Sequence, residues 1–598
     1  MQVLCIYGCL ARDLSRWLSL LLMLANVPLL PAVAHAGNRM AGHASPYLAQ
    51  HAKDPVHWRE WGPTVLEEAR RSNRLILVSL GYYACHWCHV MQRETWADAE
   101  VAKWVNANFV PVKVDREVNA ALDAALQEFS ERTRGVAGWP LNVFLTPQGY
   151  PLFAITYAPR DEFMQVSKSL AERWQREADS LSRLAREAAT PTPRRVIADL
   201  PRAFLTMAKA EADMMRGGFG QTAKFPMTPQ LMAMLEMHVR KPDPRLDEFL
   251  RLTLGQMVTG GLRDHVAGGF FRYTVDPDWH EPHFEKMLYD NALLALLYLR
   301  AAEVMKDPLY RRIGLQTVDF MLAEMGVNRG SAADGLVASL SALDDKGREG
   351  GGYLWEREDL KRILKDADYA LVERIWGLDR AAVFELGYLP QEVRPAGDEE
   401  RARLETVLTR LKSVRQQRVI PRDTKVLTGW NGLALAALSA AARADPRYRK
   451  DADALYAFAR ARLWDGRRLV KGVSGSQVLP GAELEDYAYL AYGLSRYAAL
   501  PAGADAEGFL RALLQAAWKR FHDGKDFRME EASMLASHQA DPWEDGPTPA
   551  PAAILAGVTQ AVGGPVLGKR GGKALESARA AATGSPLWRA TLANPQPW

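Results

Sequence analysis

At 598 residues the chain is too long for a single core and is expected to fold as more than one domain. Its composition, 48% apolar and 24% charged, is that of an ordinary globular protein, and a net charge of +4 spread over that length excludes the basic density of a nucleic-acid binder. Charge alone names no partner.

Arg12 and Arg16 precede an apolar stretch from Trp17 to Ala34, and Ala34-His35-Ala36 supplies an A-x-A cleavage pattern before Gly37. Residues 1–36 are therefore expected to be a signal peptide, and the mature chain to be exported to a periplasmic or extracellular compartment. Pro28 and Pro31 shorten the apolar stretch well below the ~20 residues a spanning helix needs, so no stable membrane span is expected once the signal is removed. Of the four cysteines, Cys5 and Cys9 lie in this signal, leaving Cys85 and Cys88. An exported protein that avoids every other cysteine is not stapled by disulfides. The surviving pair is then one internal bridge or a redox couple.

Residues 37–187 read as a first domain. The segment from Ser45 to Trp58, rich in aromatic rings, proline and histidine, is expected to pack as an arm over it. Val65 to Ser72 reads as a short helix, and Leu75 to Leu80 as a buried strand. Gly81 and Tyr82 turn the chain so that Cys85 opens the next helix. A thiol there faces unpaired N–H groups and the positive end of the helix dipole, which favour its thiolate. Strand, turn, Cys-x-x-Cys and helix make the arrangement of a thiol–disulfide site. Other readings compete for the same residues. Cys85-x-x-Cys88-His89 also fits c-type haem attachment with His89 as axial ligand, a plain structural disulfide fits as well, and a zinc site would lack its second cysteine pair.

Further along, Asp98 to Asn108 reads as a helix, Phe109 to Asp115 as a strand and Leu122 to Thr133 as a helix. Gly138-Trp139-Pro140 turns into a third strand from Leu141, Leu152 to Tyr157 is the last strand, and Asp161 is expected to cap a closing helix from Glu162 to Glu187. Pro140 at a strand start is placed to hold a cis bond beside the thiols, and its missing N–H leaves an open edge for substrate backbone. A thioredoxin-like α/β fold accounts for the motif, the strands and Pro140 together, whereas haem accounts for the motif alone. Cys85 is then the attacking thiolate, Cys88 the resolving thiol, and Pro140 shapes the groove for a protein dithiol or disulfide partner.

Residues 188–199, with Thr190-Pro191-Thr192-Pro193, read as a linker. From 200 to 540 nearly every segment is an amphipathic helix, among them Thr228–Val239, Leu288–Met305, Asn431–Ala444 and Glu485–Leu500. About a dozen helices joined by glycine- and aromatic-bearing loops suggest an all-α (α/α)6 toroid, with a solenoid of stacked pairs as the other option. Its loops gather His265, Arg272, His283, Glu285, Trp430 and Asp486, rings beside carboxylates and imidazoles as a carbohydrate site uses them. His283 and Glu285 suit general acid–base work, with Asp486 a second carboxylate. The plainer reading is that these residues cap helices where hairpins meet. The pocket reading expects all six to line one cavity distinct from the dithiol; capping alone would scatter them. Residues 541–598 are rich in Pro, Ala and Gly and are expected to be only partly ordered. No metal or cofactor is implied.

Ser45-Pro46-Tyr47-Leu48, Gln50-His51-Ala52, the run from Cys85 to Met91, Val114-Asp115-Arg116-Glu117, Gly138-Trp139-Pro140-Leu141 and the run from Pro282 to Asn291 together carry a family pattern. The chain resembles the thioredoxin-domain proteins related to the spermatogenesis-associated thioredoxin-like protein, long catalogued as a domain of unknown function. The resemblance covers about residues 43–495. It implies a thioredoxin-like domain joined to a six-hairpin toroid similar to glycosidases and N-acylglucosamine 2-epimerases. This chain departs from the pattern at Val118-Asn119-Ala120-Ala121, Ala137, Ala154-Ile155 and Ala342-Leu343-Asp344-Asp345.

Overall fold

The computed structural model describes residues 37–190, 195–501, 503–536 and 539–594. The signal peptide expected at 1–36 lies outside them.

The N-terminal domain opens with α1 (Pro46–Gln50), capped by Ser45 Oγ, which accepts from the Leu48 N–H. Next come α2 (Pro63–Ser72), β1 (Leu75–Gly81), α3 (His86–Met91), α4 (Ala99–Asn108), β2 (Phe109–Asp115), α5 (Ala120–Arg134), β3 (Leu141–Leu145), β4 (Pro151–Ile155) and the long α6 (Arg160–Ala189). The sheet order is β2-β1-β3-β4, with β1 parallel to β2 and the other pairs antiparallel. Every residue of β1 and β2 is buried, because both faces are covered by helices, and such strands read as continuous apolar runs. Asp98 caps α4 as its position suggests. Two expectations shift: β4 ends at Ile155, and α6 starts before Asp161, which lies in its first turn while Pro159 takes the cap position. This is the thioredoxin-like fold.

Beyond it the helices are α7 (Leu200–Glu211), α8 (Thr228–Arg240), α9 (Pro244–Thr259), α10 (Leu288–Met305), α11 (Pro308–Phe320), α12 (Arg357–Ile363), α13 (Asp366–Trp376), α14 (Asp398–Arg415), α15 (Thr428–Ala444), α16 (Arg449–Phe458), α17 (Leu484–Ala498), α18 (Ala506–Phe521), α19 (Pro551–Val562), α20 (Gly564–Ala581) and α21 (Ala590–Ala593). Six positions form an inner ring. In it α8 packs on α10, α10 on α15, α15 on α17, α17 on α19, and the short α21 closes onto α8. Each inner helix has an outer partner, so the unit is an (α/α)6 toroid. Helices α10, α15 and α17 are apolar almost all round because they are packed on every side. Between α15 and α17 only glycine fits: a Cβ on Gly432 would stand 2.5 Å from Leu490 Cα, and one on Gly493 2.2 Å from the Gly432 carbonyl oxygen.

Two findings differ from the sequence reading. Helices α12 to α14 form an insertion between α11 and α15, with its own small core of Leu360, Val372, Ile375 and Leu411. The segment from 541, expected to be only partly ordered, supplies α19, α20 and α21 over its described residues and completes the ring. A boundary at 540 therefore cuts through the toroid. The chain's small residues there, Ala552, Ala553, Ala556 and Gly557, let α19 approach its neighbours closely.

Short hairpins rim the N-terminal ends of the inner helices. Tyr273–Thr274 pairs with Pro282–His283, Lys286–Met287 with Ser339–Leu340, and Ser339–Leu340 in turn with Arg422–Asp423. The thioredoxin-like domain sits on this rim. One apolar cluster runs without interruption from its core into the toroid.

Candidate functional site

The dithiol is placed by β1. The strand ends at Gly81, and the turn through Tyr82 and Ala84 delivers Cys85 as the cap of α3, where its Sγ accepts the Cys88 N–H at 3.1 Å. Cys85 and Cys88 are joined as a disulfide, with Cα atoms 5.3 Å apart. Both are nearly sealed, 3% and 2% exposed. Gly81 must be glycine, since a Cβ would fall 2.2 Å from the Tyr47 hydroxyl and 2.8 Å from Cys88 Sγ. Leu80 faces Leu141 across the sheet, so Pro140, which follows Trp139 through a cis peptide, stands at the dithiol end. His89 turns inward, its Nε2 hydrogen-bonded to the Tyr83 carbonyl at 2.8 Å, and burial pushes it down to about 4. With that nitrogen engaged and the two sulfurs joined to each other, the haem reading gains no support.

Behind β1 the Lys113 ammonium is buried, donating to Ser79 Oγ at 3.1 Å and lying 5.1 to 5.5 Å from the ring centres of Tyr47, Trp58 and Trp96. Burial lowers it to about 7. Cation–π contact offsets part of the lost hydration.

In front, the toroid rim meets the dithiol turn. The Tyr82 hydroxyl donates to Glu285 Oε2 at 2.6 Å, and Arg272 reaches both the Tyr82 oxygen and Glu285. The Arg272 guanidinium also lies 4.8 Å from the Trp139 ring, and Arg116 lies 4.2 Å from the same ring. Ala342 N–H donates to the Ala84 carbonyl at 3.4 Å. His283 donates from Nδ1 to Glu349 at 2.7 Å. Burial opposes charge on His283, but this bond raises it above an ordinary imidazole. The other Glu349 oxygen stands 3.5 Å from His86, between the two cysteines, without the alignment of a hydrogen bond.

Two buried ammonium groups lock the domains together. Lys425 Nζ lies 2.6 Å from Asp115, 2.6 Å from Asp423 and 3.0 Å from Glu117, all four side chains being 0% exposed. Burial raises both the Glu117 and the Asp423 carboxyls above their ordinary values. Lys471 lies 2.9 Å from Glu483, 2.9 Å from Glu485 and 3.2 Å from Asp486. Those three carboxylates have the grouping of a metal site, but the ammonium fills its centre. Glu483 also accepts the N–H groups of Ala120 and Ala121 at 3.1 and 3.2 Å. It thereby caps α5 of the other domain, where Asn119 makes no side-chain cap.

The six toroid candidates separate accordingly. Arg272, His283 and Glu285 gather at the dithiol turn, and are not distinct from it. Trp430 packs on Tyr289, with ring centres 4.7 Å apart, and lines a cavity of about 30 Å³ with Arg116, Glu117 and Glu485. Asp486 is spent on Lys471 and on the Gly429 and Glu483 N–H groups. His265 is half-buried in its own loop on the Gly260 carbonyl. Sequence reasoning missed Tyr82, Glu349, Lys425 and Lys471. The Asp115-Arg116-Glu117 string was the one signal for them.

Residues 37–191 match the DsbH-type thioredoxin family model described as a protein of unknown function, DUF255. That match spans the N-terminal domain. Spermatogenesis-associated protein 20 of Homo sapiens is 29% identical over 452 residues, 66% of this chain and 57% of the relative. The chain spans about half the length of the curated relatives it matches. Among solved structures, cellobiose 2-epimerase from Spirochaeta thermophila aligns at TM-score 0.41 and 14% identity, over 64% of this chain and 82% of that one. A DsbH oxidoreductase aligns at TM-score 0.17 and 19% identity, over 20% and 85%. The thioredoxin-like domain and its toroid are the two units the sequence resemblance implies.

Proposed function

We propose that the protein is a thiol–disulfide oxidoreductase whose working pair is Cys85 and Cys88. One observation carries this reading: Cys85 caps α3 with its sulfur already accepting an N–H, beside Pro140 at the end of the sheet. A helix N-terminus and a donated N–H both favour a sulfur anion.

In the reduced protein, Cys85 Sγ attacks one sulfur of a substrate disulfide, forming a mixed disulfide and releasing one substrate thiolate. Cys88 Sγ then attacks Cys85 Sγ, forming the internal bond and releasing the second thiolate. Two electrons pass from the pair to the substrate, and an external dithiol restores the reduced pair. The same steps reversed oxidise a substrate dithiol. In the exported compartment expected from residues 1–36, such a pair would work without competing cysteines.

The toroid mouth lends no weight to sugar chemistry. Its cavity of about 30 Å³ compares with ~300–1,000 Å³ for a small-molecule site.

Dithiothreitol-driven reduction of a peptide disulfide tests the proposal. The wild-type chain accelerates it, Cys85→Ser abolishes the acceleration, and Cys88→Ser accumulates the mixed disulfide. Full activity in Cys85→Ser refutes the assignment.

A further inference from the structure

Resting on the assignment of Cys85 as the attacking sulfur, we infer that the intact chain acts on small or extended thiol and disulfide groups and excludes disulfides embedded in folded protein surfaces. The toroid occupies the face such a surface would need.

Exchange requires the attacking sulfur to come in line with the bond it breaks, so access to one sulfur governs the rate. A folded partner approaches over a broad patch, ~800 Å² on each side of an ordinary interface. Here three sides of the dithiol turn are taken. Tyr82 is tied to Glu285 and Arg272. The Ala84 carbonyl, next to Cys85, is taken by the Ala342 N–H. His86 faces Glu349, which His283 holds in place, and the His283 ring lies 6.2 Å from that of His86. The groove beside Pro140 is narrowed in the same way, because Arg272 covers the ring of Trp139.

The fourth side carries an exposed ring rather than a toroid contact. Trp87 is 41% exposed, and its ring lies 4.8 Å from Tyr157, whose hydroxyl donates to Glu94. With the other three sides taken, a sulfur on a small molecule or an extended peptide would enter here, and an apolar flank on that substrate would meet Trp87. The cover is not a fraying loop, since the buried Lys425 and Lys471 clusters hold the domains in register.

The test uses the full chain with dithiothreitol and two substrates carrying the same disulfide: a folded domain displaying it on its surface, and the excised peptide. Each rate is divided by that with dithiothreitol alone. The peptide should be accelerated at least about tenfold more than the folded domain, access being the only difference between them. His283→Ala combined with Glu349→Ala trims the rim facing His86 and should narrow the gap. Should that variant not fold, the wild-type comparison still decides. Equal acceleration of both substrates by the intact chain overturns the inference and leaves the exchange reading standing. Acceleration of neither overturns the exchange reading itself, and the inference falls with it.

Discussion

Replacing Lys425 by methionine removes the one cation among Asp115, Asp423 and Glu117 while keeping the volume of the side chain. Three buried carboxyl groups are then left without their cation. Asp115 keeps bonds from Ser45 Oγ and the Glu117 N–H, and Asp423 keeps only a long one from the Lys425 N–H. Breaking a buried pair this way costs about 3–5 kcal/mol. Because Asp115 and Lys425 belong to different domains, the cost falls on the contact between them. At ~1.4 kcal/mol per factor of ten, domain separation becomes about two to four orders of magnitude more populated. Hydrogen exchange at the Ala342 amide reads this directly, since its acceptor is Ala84 across the interface. Its protection should fall by that factor, with β1 amides less affected. Adding Asp423→Asn should restore part of the loss by removing one uncompensated charge. Protection within tenfold of wild type in Lys425→Met would show that the ammonium does not hold the interface.

Three further outcomes are expected. Glu117 ionises near ~4.3 in an unfolded chain but at about 8 when folded, so its stabilising contribution is full below the first value and lost as pH rises through the second. Glu117→Gln should therefore gain on wild type between those values and then level off, as urea midpoints measured across this range will show; a gap independent of pH refutes it. Gly81→Ala drives a Cβ into the Tyr47 hydroxyl and Cys88 Sγ, and should cost about 1–3 kcal/mol while slowing disulfide closure, followed by alkylation of free thiols. Gly432→Ala pushes α15 away from α17 at Leu490 and should lower the thermal midpoint without changing dithiol reactivity, a similar ~1–3 kcal/mol being stored as strain.

Local rules made much of the architecture legible. The apolar run at Leu75, the dithiol at a helix start and Pro140 ahead of Leu141 are each decided within a few residues, and so are helix starts with a cap such as Asp98. Composition misleads in the C-terminal part because Pro551 and the alanines and glycine of α19 resemble a loose tail. Their small size instead serves close packing, which composition does not report. Helices α12 and α13 are short and half-exposed, and their one buried face is only two turns long or less. The site escaped for a different reason. Tyr82 and Glu285 are 203 residues apart, and Lys425 and Asp115 are 310 apart, so no spacing rule joins them. The polar loop residues looked like a pocket because they converge. What they converge on is the other domain.

The closure of the ring by α21 against α7 and α8 sets an order of events during synthesis. The thioredoxin-like domain is complete once α6 has emerged, and roughly 400 residues remain before Ala593 is made. At about 5–20 residues per second that interval lasts some twenty to eighty seconds. Domains made first fold first, so the newborn chain passes through a period in which Cys85 and Cys88 stand uncovered before any disulfide nearby. The arrival of the last helices ends that period.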